Sequence, residues 1–161
     1  MLGRSIVAFL LLPGTVAFAV PILLAPDRPA SGWVRWFGPP LIAAGTALLL
    51  RCARDFHVRG RGTLAPWAPP RHLVRTGPYA LSRNPMYVAV LAVVIGWAIW
   101  YASRTHVIYA ACLAVAFQLR ILLYEEPRLR RGFPDEWRDY VKEVPRWIRL
   151  RPRGPGCQTM R

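Results

Sequence analysis

The spacing of the apolar runs constrains this chain more than any other feature. Residues Ser5 to Ala25 carry no charge, with Arg4 before them and Asp27 and Arg28 after. Twenty-one helical residues reach about 30 Å, the depth of a bilayer's hydrocarbon core. Trp33 to Leu50 forms a second run, Pro85 to Tyr101 a third and shorter one, and His106 to Tyr124 a fourth. Only the polar turn Ser103-Arg104-Thr105 separates the last two, so they are expected to form a hairpin. Pro13 and Pro21 predict a kinked first helix, which membrane helices tolerate. A cleaved signal peptide is the competing reading of the first run, because Ala17-Phe18-Ala19 fits a small-x-small cleavage site. The run, however, continues apolar past that site and further runs follow.

Charge settles what kind of apolar protein this is. The chain is 54% hydrophobic yet has a formal net charge of +14. A basic disordered tail would lack such apolar and aromatic content. With four spans, the N-terminus, the segment between the second and third runs and the C-terminal tail share one side. Arg28, Arg35 and Arg104 lie toward the other side; the remaining nineteen of 22 basic residues fall on the first. By the positive-inside rule, loop 52–84 and the C-terminus are expected in the cytoplasm, and a bacterial inner membrane is the expected location. Anionic headgroups then account for the basic residues, and no nucleic-acid partner is expected. The fold class that results is an all-α integral membrane protein. It has four or five transmembrane helices, an Arg-rich cytoplasmic loop and an amphipathic C-terminal helix.

We divide the single domain 1–161 accordingly. Residues 1–51 are two N-terminal spans, 52–84 the loop, 85–124 the helical hairpin, 125–151 a cytoplasmic helix and 152–161 a disordered tail. In the cytoplasmic helix Phe133, Trp137, Tyr140, Val141 and Val144 recur at three- and four-residue steps, an aromatic face suited to headgroups or to covering the span ends. Cys52, Cys112 and Cys157 are widely spaced, so free thiols are expected and no metal site is. His57 and His106 read as structural.

Two constellations remain for chemistry. Gly77-Pro78 marks a turn and Asn84-Pro85 a helix start, so the third helix presents free backbone N–H groups to the loop, which suits an anionic group. Glu125-Glu126, near the end of the fourth run, repel one another and the helix dipole and call for a cationic neighbour. A salt bridge to Arg120, Arg128 or Arg130 is the plainer reading. The hairpin, however, brings Arg83, Asn84 and Tyr87 opposite Glu125. An arginine and a carboxylate set apart across a small cleft match a zwitterion, such as an amino acid moiety.

The run Leu73-Val74-Arg75-Thr76-Gly77-Pro78-Tyr79 through Arg83-Asn84-Pro85-Met86-Tyr87 carries a resemblance to a known family. So do Glu125-Glu126 with Leu129, then Phe133, Trp137, Tyr140 and Val144-Pro145-Arg146. Together, over roughly residues 64 to 149, they resemble the isoprenylcysteine carboxyl methyltransferase and phospholipid methyltransferase family of integral membrane enzymes. The resemblance implies S-adenosyl-L-methionine-dependent methylation of a lipophilic acceptor. The cofactor would sit in a cytoplasmic pocket closed by the C-terminal segment. Phospholipid N-methylation and a non-enzymatic lipid-binding scaffold are the alternatives.

Carried over by position, Arg71, His72, Leu73 and Val74 would line the cofactor's nucleoside end. Gly77, Tyr79, Asn84, Pro85, Met86 and Tyr87 would surround its methionine part, and Glu125 would meet its ammonium. Arg83 and Glu126 are the expected catalytic pair, with Arg83 acting through the cofactor carboxylate or through Glu126. Three departures stand out. Asn84 occupies a position where histidine is commoner, and Pro134 one where glycine is usual. Ile121 replaces the arginine that prenylcysteine enzymes use for the substrate carboxylate. Arg120 is adjacent but about 100° round an ideal helix.

Overall fold

The structure is a computed structural model and describes residues 10–26, 31–60 and 73–148. Every regular element among them is helical. Helix α1 comprises Leu10–Ala19, wound in wide π-type turns, and its continuation Val20–Leu23. A 3-10 segment, Trp33–Phe37, leads into α2, Gly38–Gly60. A short 3-10 turn, Gly77–Ala80, precedes α3, Pro85–Tyr101. Helix α4 begins at Arg104 and runs to Gly132, widening into π geometry over Ile121–Glu125. Helix α5 is Pro134–Glu143. Trp33–Asp55 and Arg104–Gly132 are long and apolar enough to cross a bilayer; Pro13–Leu23 and Pro85–Tyr101 are apolar but shorter.

Two boundaries differ from the sequence expectation. Helix α2 continues to Gly60, through nine residues assigned to the loop. Its polar end stays helical because Cys52 and Asp55, three residues apart on one face, are buried against the loop. Helix α4 likewise passes Tyr124 without a break. The segment 152–161, expected to be disordered, lies outside the described residues, as does Cys157.

The core is a glycine seam between α2 and α3. A Cβ at Gly45 would sit 2.9 Å from the Ala89 carbonyl oxygen, and one at Gly96 would sit 3.0 Å from that of Gly38. Small residues let the two backbones close to this distance, as in membrane helix pairs. Leu49, Ala89, Val90, Val93 and Val94 fill the seam, and Ala17 of α1 joins them.

Proline explains how α1 is held. Pro21 has no N–H, so an α-type bond to Ala17 O and a π-type bond to Val16 O are both impossible. Side chains of α3 and α4 satisfy those carbonyls instead. Trp97 Nε1 donates to Ala17 O at 3.2 Å and Tyr109 Oη to Val16 O at 2.9 Å. His106, fully buried, places Nε2 3.0 Å from Pro21 O. The histidine is structural, as expected, but sits in the interior.

Candidate functional site

Loop 73–84 is fastened to α2 on one side and to the tail on the other. Gly77 adopts φ +65°, and a Cβ there would lie 2.6 Å from Asp55 Oδ2, so the turn needs glycine twice over. Val74 and Tyr79 pack on Cys52. From the tail, Tyr140 Oη donates to Tyr79 O at 2.7 Å, and Asn84 Nδ2 to Arg146 O at 3.0 Å. Pro145 O accepts from Arg83 N at 3.0 Å. Trp137, Tyr140 and Val144 bury their side chains with Leu73 and Leu129. The aromatic stripe of α5 thus covers the loop, while Val141 stays exposed.

The N-terminus of α3 and the π segment of α4 meet across a cavity of 310 Å³, within the usual range for small-molecule sites. Its polar wall is Tyr79, Arg83, Asn84, Tyr87, Arg120 and Glu125; its apolar wall is Pro13, Val16, Met86, Val90 and Phe117. Tyr87 stacks on Phe117 with ring centroids 4.4 Å apart, joining the two helices.

The carboxylates are divided between two networks. Glu125 Oε1 accepts from Tyr87 Oη and, at 3.0 Å, from Arg120 Nε. Both bonds land on the same oxygen. Glu126 lies between two arginines: Arg83 Nη1 at 3.0 Å, and Arg146 through Nε at 2.8 Å and Nη2 at 3.0 Å. Arg83 also stands over Trp137, 5.4 Å from the ring centre. Burial pulls the Arg83 guanidinium below its ordinary value, with Glu126 opposing that shift. The bonds to Glu126 hold Arg146 above its ordinary value. Burial also raises the Tyr79 and Tyr140 phenols, so both remain neutral donors. The Nε of Arg83 is buried and has no partner among the described residues.

Of the residues expected around a cofactor, the structure gathers Tyr79, Asn84, Met86, Tyr87 and Glu125 at the cavity with Arg83. Leu73, Val74, Gly77 and Pro85 do not line it; they shape the loop and the start of α3 that do. Arg71 and His72 lie outside the described residues. Glu126, expected as part of a catalytic pair, contributes nothing to the lining, because Arg83 and Arg146 take up its carboxylate. Of the expected closing segment 125–151, Glu125 lines the cavity and helix α5 does not.

The sequence offered Arg120 as a salt-bridge partner for the glutamates, as the structure has it, but the candidate site drawn from it left out Arg120, Arg146, Pro13, Val16 and Phe117. Arg120 lines the cavity with Phe117, three residues earlier and so on the same face of α4, while Ile121 is fully buried in the protein. That three-residue spacing is the signal that could have found both.

These features define a class: a protein helical in all its described regular elements, with bilayer-length apolar helices and a cavity lined by both charged and apolar side chains. The sequence profile described as phospholipid methyltransferase matches residues 33–136, well over half of the chain, so the chain belongs to that family. It is also 38% identical over 76 residues to the nickel-cobalt-cadmium resistance protein NccN of Alcaligenes xylosoxydans xylosoxydans. That match takes in 45% of this chain and 34% of the relative, so the chain spans about a third of that relative's length. No solved structure matches the chain.

Proposed function

We propose that this protein transfers a methyl group from S-adenosyl-L-methionine to a lipophilic acceptor at the membrane interface. The observation that carries the reading is the pair of unsatisfied groups at the cavity. Arg83 Nε is a buried donor without a partner among the described residues, and Glu125 receives both its bonds from them on one oxygen. The amino acid end of the cofactor has one carboxylate and one ammonium, which fit that pair. When bound, the cofactor supplies an electrophilic methyl on a sulfonium, so no metal is required of the protein.

The chain's own residues bind, orient and exclude water. Glu125 would hold the ammonium, and Arg83, fixed by Glu126 and Arg146, would hold the carboxylate. Tyr79 and Tyr87 line the same cavity. An aromatic face beside a cation contributes about 0.5–2 kcal/mol. Positioning donor and acceptor in line, away from water, supplies the larger share of catalysis in such a site. With four spans, and with the segment between the second and third and the tail in the cytoplasm of a bacterial inner membrane, the cavity would stand where soluble cofactor and lipid acceptor both reach it. The basic residues on that side support this orientation.

The acceptor atom would be a carboxylate, amine or phenol oxygen in an enzyme like the isoprenylcysteine carboxyl methyltransferases. A second reading, N-methylation of an ethanolamine phospholipid, is favoured by the description of the matched family. A lipid-binding scaffold would have no use for Arg83, Tyr87 and Glu125 around one cavity. The test is incubation of the purified protein with methyl-labelled cofactor and bacterial membrane extract. Label should pass into an organic-soluble product, whose analysis separates ester, ether and amine. No labelled product from any lipid fraction would overturn the reading.

A further inference from the structure

The apolar wall of the cavity has an unusual source. Pro13 and Val16 belong to α1, which lies outside the matched segment 33–136. The charged wall comes wholly from within that segment. Helix α1 is not loosely apposed, because three side chains of α3 and α4 grip its carbonyls at Val16, Ala17 and Pro21. The Val16 carbonyl is fixed by Tyr109 while its side chain borders the cavity. Val90 of α3 and Phe117 of α4 add to the apolar lining, Phe117 as the ring on which Tyr87 stacks.

From this we propose that the Pro13–Val16 turn of α1, with Val90 and Phe117, is the subsite for the hydrocarbon body of the methyl acceptor. Val16 sets the length and bulk of chain admitted. The assignment rests on the methyl-transfer reading, which needs an apolar acceptor beside a polar donor site. An apolar chain fits this wall because nothing on it would bond to a polar body, and burying a polar group there would be costly. A wall rigid enough to discriminate must be held, and the bonds to α1 hold this one. Bulk added at Val16 should therefore be felt by the ligand before it is relieved by movement of α1.

The experiment uses the full chain in detergent and a series of photoreactive fatty acids with octyl, dodecyl and hexadecyl chains, bearing a terminal diazirine. Cross-links are mapped by mass spectrometry with and without excess unlabelled fatty acid. We expect saturable, competed labelling of the peptides carrying Pro13–Val16 and Phe117. Val16→Trp should cut that component about tenfold or more, the effect expected of filling an apolar pocket. Val16→Leu, a milder change, should lower labelling by the hexadecyl probe more than by the octyl probe. S-adenosylhomocysteine affinity, measured on the same samples, should change by less than about twofold in Val16→Leu, which adds one methylene and leaves every charged lining residue in place. Competed labelling that is unchanged in both variants, or that maps away from α1, overturns the assignment. Absence of S-adenosylhomocysteine binding to the unmodified chain would instead remove the methyl-transfer reading, with the labelling pattern still deciding what α1 lines.

Discussion

At the turn between α3 and α4, Trp97 stacks on Tyr101 and Tyr101 on His106, and the polar atoms of Trp97 and His106 meet backbone carbonyls of α1. At the opposite end of the same two helices, charged side chains meet one another. Glu125 pairs with Arg120, and Glu126 with Arg83 and Arg146. The first end ties side chains to the backbone of α1, and the second borders the cavity. Each keeps one buried nitrogen without a partner among the described residues, His106 Nδ1 at the first and Arg83 Nε at the second. Of the two residues, only Arg83 lines the cavity, beside Tyr87, Arg120 and Glu125. Tail and loop bear the cost of keeping those charges in place, while the glycine seam serves both ends.

The comparison can be broken first at the seam. If both ends depend on it, Gly45→Leu should cost about 3 kcal/mol or more, because the new side chain meets backbone on α3. Loss of the folded protein on size exclusion would show it; a normal melting point would mean that α2 and α3 can part without harm. Next is the cavity end. Glu126→Ala leaves Arg83, 10% exposed, without its carboxylate. Removing one partner of a buried pair costs about 3 kcal/mol. Thermal unfolding in detergent measures this, and Arg146→Ala should cost less because that guanidinium is 31% exposed.

At the other end, Trp97→Phe removes only the donor to Ala17 O. We expect about 1 kcal/mol of destabilisation with no effect on ligand binding. Equal losses at the two ends would erase the distinction drawn between them. The smallest effect concerns pH. Burial raises the Tyr140 phenol above its ordinary value of 10.0, so the folded state holds that proton more tightly than the unfolded chain. Its contribution is complete below about pH 10 and is lost as pH rises through the folded value. The melting point should fall on the alkaline side. In Tyr140→Phe that fall should be shallower, with a loss of about 0.5–1 kcal/mol at neutral pH.

How much was legible in the sequence follows the same division. Apolar length and the Asn84-Pro85 start located α3 at Pro85–Tyr101, and the three-residue turn forced its start to lie beside the end of α4. The three-to-four periodicity of Trp137, Tyr140 and Val144 marked the buried face of α5. Less legible was helix phase at the end of α4, where Ile121–Glu125 widens. The pairing of Arg83 with Glu126 was expected, but not that Arg146 would join it on the same carboxylate. Adjacent residues point about 100° apart, and for Glu125 and Glu126 only the partners Tyr87 and Arg146 tell which faces the cavity. Helix α1 gave the weakest signal. Its length announced a span, but nothing in its composition said that Pro13 and Val16 would wall a site.

The most direct test of the central claim is calorimetric titration of S-adenosylhomocysteine into the detergent-solubilised protein and into Glu125→Ala. If the Glu125 and Arg83 walls grip the amino acid end of that molecule, the unmodified chain binds it. The variant, still folded by circular dichroism, should bind about ten- to a hundredfold more weakly. Equal affinity in the two proteins would contradict the account.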